Sequence, residues 1–168
     1  MKYVVHLSLG SNLDKEANFR AAVGLLAGFG RLTGVSPVYE TQPVGMEPGT
    51  PSFLNGAVRL ETDLAPTTLK RRLRVEVEEA LGRVRDPGGA WISRPIDVDI
   101  ALARSADGKF VLPPDPDIGR HLHVAQPLAD LDPDLEPPGA GGSLGKIARV
   151  LAAGQPLPAR RPDIILDA

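Results

Sequence analysis

The chain predicts an α+β fold: a ferredoxin-like βαββαβ core with a largely antiparallel sheet, helices packed on it, and an irregular C-terminal extension. Three observations lead there. Alternating apolar residues mark strands at Tyr3 to Leu9 and Phe53 to Thr62. Two stripes at helical spacing follow those strands, and an apolar-acidic alternation at Ile96 to Leu102 closes the pattern. At 168 residues the chain fits one domain, residues 1–168, with a sizeable core.

The first strand places Val5, Leu7 and Leu9 on one face. Gly10-Ser11-Asn12 then turns the chain, with Ser11 or Asn12 placed to cap the helix carrying Phe19, Ala22, Val23 and Leu26. Gly28 and Gly30 end that helix. A weaker strand spans Arg31 to Tyr39, and a loop passes through Pro43, Gly45, Pro48 and Gly49. Phe53 to Thr62 is the clearest strand: Leu54, Val58 and Leu60 share one face, Phe53 and Asn55 the other. Pro66 suits the first turn of a second helix with a stripe of Leu69, Leu73, Val77 and Ala80, ended by Gly82. The strand containing Asp97 and Asp99 follows. A helix near Leu144 to Ala153 is the main regular element expected in the C-terminal third.

Composition narrows the function classes. The formal charge is −2, and the basic residues cluster locally, which counts against nucleic acid as a partner. Cysteine is absent, so there are no disulfides or thiolate metal sites. The N-terminus reaches Gly10-Ser11-Asn12 too early for a signal peptide, and no apolar run approaches the roughly 20 residues that span a bilayer. The expectation is a cytoplasmic protein with no membrane association, and a monomer.

Asp97 and Asp99 carry the most chemical information. Strand geometry turns both carboxylates to one face, where they repel and resist dehydration unless a cation joins them. An isolated D-x-D pair is more often a solvated strand edge, but Arg83, Arg85, Trp91 and Arg94 stand close upstream. Carboxylates for a hard cation, arginines for phosphate and an indole for a flat ring point to a magnesium–nucleotide site. Phe53 beside Asn55 can stack a planar heterocycle and read its edge, but taken alone the pair is better explained as a core Phe with a turn-capping Asn. His6, His121 and His123 do not form a metal set.

These motifs occur in the same order in the 6-hydroxymethyl-7,8-dihydropterin pyrophosphokinase family, which the chain resembles. The resemblance runs through LSLGSN (Leu7 to Asn12), SPVYETQPVG (Ser36 to Gly45), FLNGAV (Phe53 to Val58), EEALGRVR (Glu78 to Arg85), RPIDVDIALA (Arg94 to Ala103) and QPLADLDPDL (Gln126 to Leu135). It implies transfer of pyrophosphate from ATP to the hydroxymethyl group of the pterin, with release of AMP, in folate biosynthesis. By match to the family motif, Asp97 and Asp99 hold two Mg²⁺ ions, and Arg83 and Arg94 assist the chemical step. The resemblance assigns Thr41, Pro43, Val44, Phe53, Asn55, Trp91 and His123 to the pterin, with Asn55 reading the ring edge. It assigns Glu78, Arg85, Trp91, Ile100, Asp115, Arg120 and His121 to ATP.

The chain departs from the family pattern in places. Leu112-Pro113-Pro114-Asp115-Pro116 stands where Leu-Pro-His-Pro is common, so Asp115 replaces a phosphate-contacting histidine. His121 occupies the next arginine position, with Arg120 beside it, and His123 replaces a stacking phenylalanine. These substitutions motivate an alternative, a pterin- or nucleotide-binding module without efficient transfer. The intact aspartate pair and loop arginines favour an active enzyme.

Overall fold

The computed structural model describes residues 1–43, 48–84 and 94–166. Within them six strands form one open antiparallel sheet: β1 (Tyr3–Ser11), β2 (Arg31–Val35), β3 (Tyr39–Thr41), β4 (Phe53–Thr62), β5 (Asp97–Ser105) and β6 (Ala159–Arg160). The order is β5-β1-β4-β3-β6, with β2 also paired to β4. β2 takes the Val58 to Glu61 end of β4 and β3 takes the Phe53 to Asn55 end. This is the split βαβ arrangement that the sequence predicts.

Helices cover both faces. Under α1 (Lys15–Leu26) and α2 (Pro66–Leu73), the buried residues Val5, Leu7, Leu9, Leu54, Val58 and Leu60 meet Phe19, Ala22, Val23, Leu26, Leu69 and Leu73. Gly56 belongs to this packing, because a Cβ there would stand 2.8 Å from the Phe19 ring. On the opposite face, α3 (Leu122–Leu131) and α4 (Leu144–Ala152) form a second core with Ala57, Ala101, Leu102 and Ile118. The C-terminal third is therefore an ordered layer, more regular than expected. The proline inside α3, Pro127, obscures that helix in the sequence.

Several local expectations change. The strand expected over Arg31 to Tyr39 is two strands, because Pro37 lacks an amide and Ser36 leaves the β2 path. Ser36 pairs with Ala57 instead, its amide donating to the carbonyl at 2.9 Å and its hydroxyl accepting from the amide at 2.8 Å. The second helix tightens its packing by widening its backbone: after Leu73 it continues as a π turn, Arg74–Glu79, which buries Val77 and Glu78 and leaves Ala80 exposed. A register shift opposite His6 and Leu7 breaks the alternation of β5. Val98, Ile100 and Ala103 consequently pack in the first core, whereas Ala101 and Leu102 pack in the second. Leu102 thus leaves the face assigned to it. Neither Ser11 nor Asn12 caps α1. Its N-cap is Asp14, in the left-handed region at φ 41°, without a side-chain cap bond.

The second face also holds a buried polar network away from the aspartate pair. His6 Nε2 lies 2.5 Å from Asp132 Oδ2, Arg59 Nη1 donates to Asp132 Oδ1 at 2.8 Å, and Tyr39 donates to Asp130 at 2.8 Å. These contacts fasten the end of α3 to β1, β4 and β3.

Candidate active site

The central strand brings the two halves of the site together. Gly10 on β1 is opposite Asn55 on β4 and opposite Asp97 on β5. Directly opposed residues share a face, so Asn55, Gly10 and Asp97 form one row across three strands. Two inter-strand spacings put the ends of that row about 10 Å apart. Gly10 places no side chain between them, so the row has a gap, a trough, between its two polar ends. The neighbouring row is Ala57, Ser8 and Asp99. Phe53 opposes Thr41, and the Thr41 hydroxyl accepts from Asn55 Nδ2 at 2.9 Å. Thr41, Phe53 and Asn55 are therefore one cluster, and the amide of Asn55 is oriented from behind.

At the other end of the trough, Asp97 takes a guanidinium on each oxygen: Arg83 Nη1 on Oδ1 and Arg94 Nη1 on Oδ2. Burial would raise its pKa, but Arg94 and Arg83 outweigh burial and hold the carboxyl below its ordinary value of 3.8. Asp99 shifts the opposite way. The residue is exposed, yet its carboxyl is crowded enough to lose hydration, and the charges of Asp97 and Asp115 raise it further. Lys70 and Arg83 only partly oppose that rise. A carboxylate pushed up by its neighbours marks a place where negative charge is undercompensated and a cation would be welcome. The oxygen donors suit a hard divalent ion. No cluster of three or more acidic or histidine ligands forms among the described residues.

Glu78 organises the arginine side. It is 2% exposed, and its Oε1 accepts from Arg83 Nη1 at 2.7 Å and from the Val98 amide at 2.9 Å. Val98 lies between the two aspartates on the outer edge of β5. One buried carboxylate thus joins the π turn, an arginine and the acidic strand. Its inward position follows from the π turn, a deviation that helical periodicity does not announce. Asn12 is a second residue whose role sequence reasoning missed: its Oδ1 accepts from the Arg94 amide at 2.7 Å, and its own amide donates to the Arg94 carbonyl at 3.2 Å. Ser11 reinforces that link by donating to the Pro95 carbonyl. The GSN turn is therefore a fastener for Arg94. Its place in the LSLGSN stretch shared with the family was the only clue in the sequence.

The remaining expected site residues are distributed as follows. Ile100 packs against the first core. Asp115 binds its amide to the Ala101 carbonyl at 3.0 Å, and its side chain accepts from the Asp117 amide at 2.9 Å. His121 and His123 stack with centroids 5.2 Å apart, and both burial and His121 lower the His123 pKa, with Asp117 opposing. Arg120 is exposed, 3.8 Å from Asp117. Gln155 grips this segment from beyond α4, accepting from the Leu122 amide at 2.9 Å and donating to the Arg120 carbonyl at 2.7 Å. Pro43 lies at the edge of the described residues. Val44, Arg85 and Trp91 lie outside them.

Comparison with known proteins shows the family. The sequence model of the 7,8-dihydro-6-hydroxymethylpterin-pyrophosphokinase family matches residues 6–133. A 2-amino-4-hydroxy-6-hydroxymethyldihydropteridine pyrophosphokinase of Porphyromonas gingivalis is 39% identical over 141 residues, covering 80% of this chain and 94% of the relative. The enzyme of that name from Bacillus subtilis is 36% identical over 141 residues, 81% of this chain and 82% of the relative. A Pseudomonas aeruginosa enzyme with the same name is 37% identical over 140 residues, covering 80% and 83%. With a family model matching residues 6–133 and relatives up to 39% identical over about four-fifths of its length, the chain belongs to the 7,8-dihydro-6-hydroxymethylpterin-pyrophosphokinase family.

Proposed function

We propose that this protein transfers pyrophosphate from ATP to the hydroxymethyl group of 6-hydroxymethyl-7,8-dihydropterin, producing AMP and the pterin diphosphate in folate biosynthesis. The observation that carries the reading is the Asn55–Gly10–Asp97 row, which sets an amide-and-aromatic corner at a ligand's distance from paired carboxylates and arginines.

In this reading the pterin lies at the Asn55 end. Asn55, oriented by Thr41, reads the ring edge, while Phe53 and His123 offer flat surfaces; Pro43 and Val44 are assigned to the pterin by the family resemblance alone. Asp97 and Asp99 would hold two Mg²⁺ ions, and bound metal would neutralise the triphosphate and polarise the β-phosphoryl group. The pterin hydroxyl oxygen attacks the β-phosphorus in line, the bond to the α,β-bridging oxygen breaks, and AMP leaves. Arg83 and Arg94, held by Glu78 and Asn12, place positive charge where negative charge develops on the phosphate oxygens in the transition state. By the family resemblance alone, Arg85 and Trp91 are assigned to the substrates. Ile100 and His121 border the nucleotide, with Arg120 supplying a further cation. Asp115 adds negative charge near Asp99 and strengthens the demand for metal. Positioning and charge neutralisation supply most of the acceleration. We take the protein to act as a single cytoplasmic domain and a monomer.

The test is product identification. Incubation with ATP, Mg²⁺ and 6-hydroxymethyl-7,8-dihydropterin should yield AMP. Formation of ADP, or tight binding of both substrates without turnover, would instead favour the binding-module alternative or another transfer.

A further inference from the structure

The loop between β3 and β4, residues 42–52, leads from Thr41 to Phe53, and both of its stems are tied to one charged cluster. Glu40, adjacent to Thr41, accepts from Lys15 Nζ at 2.6 Å and from the Ser52 hydroxyl at 2.5 Å, both on Oε1. Lys15 also donates to the Ser52 hydroxyl at 2.6 Å and to its carbonyl at 3.3 Å. Ser52 precedes Phe53. The loop therefore begins and ends on a clasp formed by Glu40, Ser52 and the first residue of α1.

The C-terminal segment closes the clasp. β6 pairs with β3 through Glu40↔Ala159 and Tyr39↔Arg160, which gives the three-residue β3 a partner on its outer edge. The Arg161 amide donates to the Val38 carbonyl at 2.8 Å. Its guanidinium reaches Glu40 Oε2 at 2.7 Å, with further bonds to Glu16 at 2.6 Å and Asp163 at 2.7 Å. Both Glu40 oxygens are thus engaged, one by Lys15 and Ser52 and the other by Arg161. The side chains of Lys15, Glu40 and Arg161 are all less than one-third exposed, so this is more than a solvated surface pair. Arg161 lies beyond the residues that the family model matches.

We propose that Glu40 and Arg161 are positioning residues for the pterin pocket: they fix the two stems of its loop, and so the spacing of Thr41, Phe53 and Asn55, without touching the substrate. This inference rests on the functional reading above, since it concerns the pterin end of that site. Arg161 makes the C-terminal segment part of the substrate-binding apparatus. Lys15, Ser52, Glu16 and Asp163 complete the charged and polar surroundings of the pair, and none of these groups belongs to the Asp97 and Asp99 end.

Calorimetric titration of the full chain with 6-hydroxymethylpterin, and separately with α,β-methylene ATP, tests the proposal. Glu40→Gln should weaken pterin binding by about tenfold, the effect of losing charge-assisted hydrogen bonds. Arg161→Ala should do the same to a smaller degree, and Arg161→Lys should recover part of the loss. Affinity for the ATP analogue should stay within about twofold, because the clasp holds one end of the trough. Pterin affinity unchanged in both Glu40→Gln and Arg161→Ala would overturn the proposal. Equal weakening of both ligands would also overturn it, by showing general softening of the fold. Wild-type protein that bound the ATP analogue but not the pterin would instead refute the functional reading, and this inference with it.

Discussion

Replacing Asp99 by asparagine should separate stability from activity. Asp97 and Asp99 occupy alternate positions on one strand face, about 7 Å apart. At an effective dielectric of about 20 their repulsion amounts to about 2 kcal/mol. Arg83 and Arg94 on Asp97, together with solvent at Asp99, reduce the net penalty to about 1 kcal/mol. In chelator at neutral pH, Asp99→Asn should therefore melt about 2–4 °C above the wild type, while turnover falls by about 100–1,000-fold. The pH dependence has a definite sign. Because the folded state raises the Asp99 pKa, the wild type carries no penalty below the ordinary value of 3.8 and acquires it as pH rises through the raised value. The advantage of the variant should accordingly vanish in acid. Melting curves in chelator at neutral and acidic pH, with parallel turnover measurements, provide the assay. A variant that melts several degrees below the wild type in chelator would refute the reasoning, since it would show that the carboxylate supports the metal-free fold.

Other perturbations separate the parts of the molecule. Glu78→Gln removes the buried charge behind Arg83 and should cost about 1–3 kcal/mol of stability in urea unfolding while lowering kcat more than it raises KM. Gly10→Val has room for its Cβ, whose nearest neighbour is Asn55 Oδ1 at 3.7 Å, but it fills the trough; turnover should fall at least about 100-fold with little change in melting temperature. Asp132→Asn breaks a pair with a fully buried histidine and should cost about 3 kcal/mol, leaving the activity of the folded fraction intact. His6 and Arg59 hold the Asp132 pKa below 3.8, so its contribution is present above that value and is lost as pH falls through the depressed one; acid unfolding curves should converge there.

Much of this architecture was legible in the residues. The alternation from Phe53 to Thr62 specifies β4, because Leu54, Val58 and Leu60 share one face, and the Phe19 to Leu26 stripe specifies the buried side of α1. The residues beyond legibility are those where the backbone departs from its period. The π turn buries Glu78 beside Val77, the irregularity in β5 turns Leu102 to the second core, and Pro127 sits inside α3 against its propensity. The candidate site divides similarly. Asp97, Asp99, Arg83 and Arg94 announce themselves by chemistry and spacing, and Asn55 by the family resemblance. Asn12 and Gln155 do not, since each acts on backbone 82 or 33 residues away, and such contacts exist only once the sheet and its second helical layer are assembled.

The central claim is that a cation held by Asp97 and Asp99 governs attack at the β-phosphorus. Chromatographic separation of nucleotide products from a reaction with ATP and 6-hydroxymethyl-7,8-dihydropterin, run with Mg²⁺ and again in chelator, tests it most directly. The account predicts AMP in the first reaction and unchanged ATP in the second. Appearance of ADP, or of equal AMP in chelator, would contradict it.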